Sequence, residues 1–138
     1  MVSDAAILDG RIATGLNTLH HFTVKTDDLE ATRDFYTGVL GLEVGFRPEL
    51  GFPGYWLYCG PTPVVHLVPR ENAIGGGPST DTGPFDHVAF LASDFDGFKA
   101  RLDAKGVKYR ENHIPQPPID QLFCPDNNNV MVELNFPR

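Results

Sequence analysis

Cysteine is scarce in this 138-residue chain: Cys59 and Cys124 are the only two, and they share no CxxC spacing. A chain of this size and apolar content needs no disulfide framework, so both thiols read as strand residues of a reducing compartment. Positive charge is also in deficit, with 11 Lys and Arg against 18 Asp and Glu and a formal net charge of −7. That balance excludes a general nucleic-acid backbone binder, which needs a basic surface. No uninterrupted apolar run approaches the roughly 20 residues of a membrane span. The N-terminus has no basic segment followed by a long apolar stretch, so no secretory signal is expected. These absences predict a cytoplasmic protein that binds neither membranes nor nucleic acid. What is present, 41% hydrophobic and 21% charged residues, suffices for one globular core.

The chain says the same thing twice. His21, in Leu19-His20-His21-Phe22-Thr23-Val24, lies 66 positions before His87, in Phe85-Asp86-His87-Val88-Ala89-Phe90. A helix-like stretch and short strand-like runs follow each histidine. A final apolar run then holds one further coordinating residue, His66 in the first copy and Glu133 in the second. Helix-start chemistry repeats at the same interval: Asp27 and Glu30 have counterparts in Ser93 and Asp96. Gly41 and Gly106 stand where a left-handed helix-ending residue is wanted. Between helix and last strand, the runs Leu42–Arg47 and Tyr55–Cys59, then Val107–Glu111 and Gln121–Cys124, predict two more strands per copy.

Each copy therefore reads β-α-β-β-β, and the fold class expected is α+β: paired modules forming a concave mixed sheet with helices outside. The organisation predicted is an N-terminal arm over 1–16 and one domain over 17–138. That domain divides into module 17–70, a Gly-rich linker over 71–84 and module 85–138. The linker could be mistaken for a phosphate loop. However, no Gly-Lys-Ser/Thr follows it, and it precedes a strand.

Strand alternation gives the direction of the candidate ligands. Phe22 and Val24 must pack under a helix, which turns His21 to the other face; Val88 and Phe90 do the same for His87. On the last strand Val130, Val132, Leu134 and Phe136 take the helix side, leaving Glu133 on the concave one. A carboxylate in so apolar a strand is costly to bury without a cation or donor beside it. His20 faces opposite to His21 and reads as structural, with Asp86 in the equivalent place.

Over about Leu16 to Phe136 these residues resemble the vicinal oxygen chelate superfamily, which includes glyoxalase I, bleomycin-binding proteins and extradiol dioxygenases. The resemblance rests on His21-Phe22-Thr23-Val24, Asp28 to Tyr36 with Val39-Leu40-Gly41-Leu42, Phe85 to Phe90, and Pro125-Asp126 before Val132-Glu133-Leu134. It implies a divalent metal held by His21, His87 and Glu133. His66 stands where glyoxalase-like members place a fourth ligand and where extradiol members place an acid–base histidine. It also implies a homodimer, in which strands of both subunits can complete the site.

Two imidazoles and a carboxylate leave three adjacent octahedral positions open, which suits Fe(II) or Mn(II); added nitrogen ligation suits Zn(II), Ni(II) or Co(II). Such a site favours a small molecule offering two neighbouring oxygens. If His66 binds the ion, no position remains for O₂ and lyase or isomerase chemistry is favoured. If it stays apart, it can act as the catalytic base of a dioxygenase. An aromatic cluster of Phe46, Phe52, Tyr55, Trp56 and Tyr58, with Phe123 beyond it, tilts the expectation toward an extradiol-type dioxygenase. Tyr55, Trp56, His113 and Phe123 are the expected substrate-binding residues. The alternatives are a glyoxalase- or epimerase-like lyase/isomerase and a metal-free resistance-type binder. Retention of all four polar strand positions counts against the binder.

Overall fold

The computed structural model describes residues 7–8, 11–12, 15–16, 18–74 and 82–138. Most of the expected arm and the centre of the expected linker lie outside them. Strands β1 (Ile7–Leu8) and β2 (Arg11–Ile12) pair antiparallel with each other and join neither of the larger sheets. The first module then runs β3 (Phe22–Thr26), α1 (Leu29–Asp34), β4 (Glu43–Gly45), β5 (Tyr55–Cys59) and β6 (Thr62–Pro69). The second runs β7 (His87–Leu91), α2 (Phe95–Ala104), β8 (Arg110–Ile114), β9 (Ile119–Pro125) and β10 (Met131–Pro137).

Their strand orders are β3-β6-β5-β4 and β7-β10-β9-β8, two mixed four-stranded sheets of one topology. In each, the first strand lies parallel beside the last, because the helix carries the chain across the sheet and back. The α+β fold of paired β-α-β-β-β modules is thus as predicted.

Local departures have local causes. Both helices are capped one residue later than expected. Asp28 accepts from the Ala31 amide and Asp94 from the Gly97 amide; Asp27 pairs with Arg70 instead. Because both caps move together, the 66-residue interval survives. Helix α1 passes into a π-helical turn over Phe35–Val39, and Gly41 and Gly106 both take positive φ, as predicted. Strand β8 begins at Arg110, later than the expected Val107. The Val107 amide is occupied in donating to the Leu102 carbonyl (2.9 Å), which closes the end of α2.

One hydrophobic core spans both modules, uniting Val24, Tyr36, Leu57, Val65 and Leu67 with Leu102, Leu122, Val132, Leu134 and Phe136. The Phe22 and Phe90 rings meet at 6.2 Å between the two first strands. A buried polar latch also ties the modules together. The Tyr36 hydroxyl donates to Asp126 Oδ2 (2.9 Å), while Asp126 Oδ1 accepts from the Asn128 and Val130 amides. The Asn127 and Asn128 side-chain amides both donate to Thr32 Oγ1. Asn129 takes φ +66°, the left-handed turn conformation its residue type tolerates. Burial raises the Asp126 pKa, and these hydrogen bonds pull it the other way. A buried polar group must be satisfied to be stable, and this network satisfies one carboxylate from two directions.

Candidate metal centre

The register of the two sheets sets equivalent residues in equivalent places. His66 lies opposite Thr23, two residues after His21, and Glu133 lies opposite Ala89, two residues after His87. On the other side, His66 pairs with Trp56 and Glu133 with Phe123, each ten positions earlier in the chain.

In the first module the side chains on this face form a stack of three rings. His21 lies 3.7 Å from His66 between centroids, and His66 lies 4.1 Å from Trp56, both nearly parallel. His66 is 8% exposed, and its Nε2 is 3.2 Å from the Pro63 carbonyl. Burial and the adjacent His21 hold its pKa down to about 4, with smaller contributions from His20 and Arg47. Burial, then His20, lowers that of His21 as well. Both imidazoles are therefore neutral near pH 7, the form in which a ring nitrogen can ligate a cation.

The second module has the opposite character. Nε2 of His87 lies 3.1 Å from Glu133 Oε1, and its Nδ1 lies 2.7 Å from Asp86 Oδ2. Hydrogen bonding to Asp86, followed by the charge of Glu133, raises the His87 pKa. Glu133 Oε2 accepts from the side-chain amides of Gln121 (3.3 Å) and Asn135 (2.8 Å). The carboxylate is thus fixed by two donors on the same face, with Oε1 turned to the histidine.

The candidate donors fall into two pairs: His21 meets His66, and His87 meets Glu133, but among the described residues no group of three or more His, Cys, Asp or Glu side chains is arranged to hold a metal ion. The donor types themselves, three imidazoles and a carboxylate on the core-averted faces, fit a divalent ion.

The expected substrate residues divide. Trp56 and Phe123 sit beside His66 and Glu133, and the Arg110 guanidinium covers Phe123 at 4.4 Å. Tyr55 and His113 face away from His66 and Glu133 by strand alternation. Tyr55 pairs with the core residue Leu67, and its hydroxyl donates to Glu30 and accepts from Arg33 on α1. His113 pairs with Asp120, which pairs with Phe136, on the face covered by α2; its ring lies 5.9 Å from Phe95 of that helix. Both belong to the opposite faces of their sheets.

Three residues have a role here that the sequence did not give them: His20 and Asp86 read there only as structural equivalents, and Gln121 only as the start of a strand-like run. Asp86 and His20, 66 positions apart, each hydrogen-bond Nδ1 of the following histidine; the His20–His21 separation is 2.8 Å. A partner on Nδ1 fixes the ring and leaves Nε2 for a ligand. The available signal was a polar residue immediately before each repeated histidine. Gln121, which positions Glu133, had no signal before the β9–β10 register was known.

Comparison with known proteins bears on the family and the fold. The family model of the Glyoxalase/Bleomycin resistance protein/Dioxygenase superfamily matches residues 18–134. "Glyoxylase I 4" of Arabidopsis thaliana is 29% identical over 132 residues, 86% of this chain and 70% of that protein. Among solved structures, TnmS3, an antibiotic binding protein from a Streptomyces species, superposes with a TM-score of 0.69 at 20% identity, covering 91% of this chain and 99% of that one. A mutant of the fosfomycin resistance protein FosX from Listeria monocytogenes, complexed with Mn(II) and a dihydroxypropylphosphonic acid, gives 0.66 at 19% identity, covering 91% and 93%. At these identities the solved structures establish the fold alone. The chain belongs to the glyoxalase/bleomycin resistance protein/dioxygenase superfamily.

Proposed function

Starting from that membership, we propose that this protein is a metal-dependent enzyme of the glyoxalase- or epimerase-like lyase/isomerase type, acting on a small molecule with two neighbouring oxygens. The observation that carries the reading is the stacking of His66 on His21. It puts His66 in the same pair as a candidate ligand, so His66 is read as a ligand too. Four protein donors and two substrate oxygens fill an octahedron and leave no place for O₂. The extradiol reading needs His66 held apart as a base of near-neutral pKa. A ring packed between His21 and Trp56, with Nε2 at the Pro63 carbonyl, is poorly placed for that.

We further propose that the two pairs are half-sites that meet across a homodimer, His21 and His66 of one subunit facing His87 and Glu133 of the partner subunit. Support comes from the separation of the two pairs within one chain and from Leu19 (83% exposed) and Leu91 (82%), apolar residues flanking the two half-sites. β3 and β7 are also the edge strands of their sheets.

His21, His66, His87 and Glu133 would hold the ion, with Fe(II), Mn(II), Zn(II), Ni(II) and Co(II) all compatible. A divalent ion bound there would supply Lewis-acid polarisation of the substrate oxygens and acidify the neighbouring C–H. The remaining work falls to the chain. Gln121 and Asn135 hold Glu133 aimed, Asp86 and His20 orient the rings of His87 and His21, and Trp56 and Phe123 wall the site against water.

The test is anaerobic loading with each metal, followed by two assays run side by side. Exchange of the α-proton of an α-hydroxy ketone or thioester with solvent deuterium, without O₂ uptake, is the expected result. O₂ uptake with a catechol panel would overturn the lyase/isomerase assignment in favour of the dioxygenase. Failure to bind any divalent metal would leave the resistance-type binder.

A further inference from the structure

Arg47 and Gly54 form a feature that the metal chemistry does not use. Arg47 follows β4 and Gly54 precedes β5, two residues before Trp56. Gly54 leaves a notch. A Cβ there would lie 2.5 Å from the Leu67 carbonyl oxygen and 2.9 Å from Nη2 of Arg47. The guanidinium occupies space that only glycine leaves open.

Phe52 supports it from one side, with Cζ 5.1 Å from the ring centroid. Its Nε and Nη2 are buried, and among the described residues neither has a hydrogen-bond partner. The cleft around it, about 480 Å³, is also lined by Leu29, Glu30, Glu49, Phe52 and Tyr55. The two carboxylates in that cleft are engaged locally: Glu30 accepts from the Tyr55 hydroxyl and Glu49 from the Gly51 amide. Neither comes within ion-pair distance of Arg47 among the described residues.

Buried donors without acceptors are rare, because each forfeits its hydration with nothing in return. A guanidinium presenting two such N–H groups matches the two oxygens of a carboxylate or phosphoryl group. We propose that Arg47, seated over Gly54, is an oxyanion-binding residue that takes the acidic group of a small-molecule ligand.

Gly54 lies two residues before Trp56, the strand partner of His66, while the Leu29, Glu30 and Tyr55 wall of the cleft belongs to the α1 side of the sheet. The ligand class that follows is a small organic acid whose carboxylate or phosphoryl group lies at Arg47. This oxyanion site does not depend on the proposed metal chemistry.

Trp56, the chain's one tryptophan, reports on the site in metal-free protein. Phenylacetate, phenyl phosphate and neutral phenylacetamide would be titrated against its fluorescence. Saturable quenching by at least one anion, at least ~10-fold tighter than by the amide and weakened by salt, is expected. The stronger of the two anions identifies the acidic group as carboxylate or phosphoryl. Arg47→Gln is expected to remove that preference, and Gly54→Ala to weaken it by displacing the guanidinium with its charge intact. Equal binding of amide and anions, no saturable response to either anion, or a preference that survives Arg47→Gln overturns the proposal. If Arg47→Gln does not fold, the amide–anion comparison and salt dependence of the unaltered protein decide. Metal stoichiometry, measured separately and expected to be unchanged in Arg47→Gln, distinguishes failure here from failure of the metal reading.

Discussion

The two half-sites occupy the same register of the same module, yet their chemistry is opposed. In the first, two imidazoles stack, and burial, with repulsion from His20 on His21 and from His21 on His66, favours their neutral forms. In the second, Asp86 and Glu133 bracket His87 and favour its protonated form. The residues facing the aromatic neighbours differ as well. Trp56 is opposite Gly45, over which the Tyr58 ring lies, whereas Phe123 is opposite Arg110. A duplicated backbone thus fixes positions without fixing character. Two copies of the first pair would offer four imidazoles, and two of the second would offer two imidazoles and two carboxylates; the divergence offers three imidazoles and one carboxylate.

The strongest way to break this comparison is to split it. A His21→Ala/His66→Ala variant and a Glu133→Ala variant should each lose at least ~100-fold in metal affinity. Mixed and refolded together, they should regain tight binding at one of the two sites of a heterodimer, read by calorimetry. No recovery on mixing would place all ligands within one chain.

Gln121→Ala probes the second half-site alone. Freed from one of its two donors, Glu133 should hold metal up to ~100-fold more weakly, as loss of an outer-shell partner does elsewhere, with the helical circular dichroism unchanged.

The opposed pKa shifts give opposite stability slopes in metal-free protein. His66 titrates near 4 when folded against 6.5 in the unfolded chain. Between those values the unfolded state binds more protons, so stability should rise with pH by on the order of 3 kcal/mol across that window. His87 has a folded pKa above 6.5. Its contribution is complete below 6.5 and is lost as pH rises through the raised value. Urea denaturation against pH should show His66→Gln flattening the acid slope and His87→Gln the slope above 6.5. The reverse assignment would mean that the half-sites have been read the wrong way round.

The smallest effect sharpens the equivalence of the residues preceding the two histidines. Asp86→Asn should weaken metal binding about tenfold, since the anionic partner that raises His87 basicity is gone. His20→Ala should cost less, because it removes a partner of His21 that carries no negative charge. Equal effects would remove the distinction drawn between them.

Much of this was legible in the linear chain because β-α-β-β-β patterning has fixed periods. Alternation along Phe22-Thr23-Val24 and Val130 to Phe136 assigned faces to His21 and Glu133, and the 66-residue interval aligned the modules. The aromatic residues were less readable. Tyr55 and Trp56 are neighbours, and a one-residue difference puts the first against α1 and the second against His66. His113 was misread because β8 begins three residues later than the apolar run suggests, and only its pairing with Asp120 assigns its face. No helix among the described residues is long and apolar enough to cross a membrane, in line with the absence of a long apolar run.

The sequence by itself determined the module, its duplication, the kinds of donor and the face each occupies, because strand and helix periods are local properties of the backbone. Tertiary structure decided which donors meet. The separation of His21 with His66 from His87 with Glu133, the hold of Gln121 on Glu133, and the seating of Arg47 over Gly54 depend on inter-strand register and on the fit of side chains distant in sequence. Those are set by packing across strands and between modules, which periodicity along the chain does not encode.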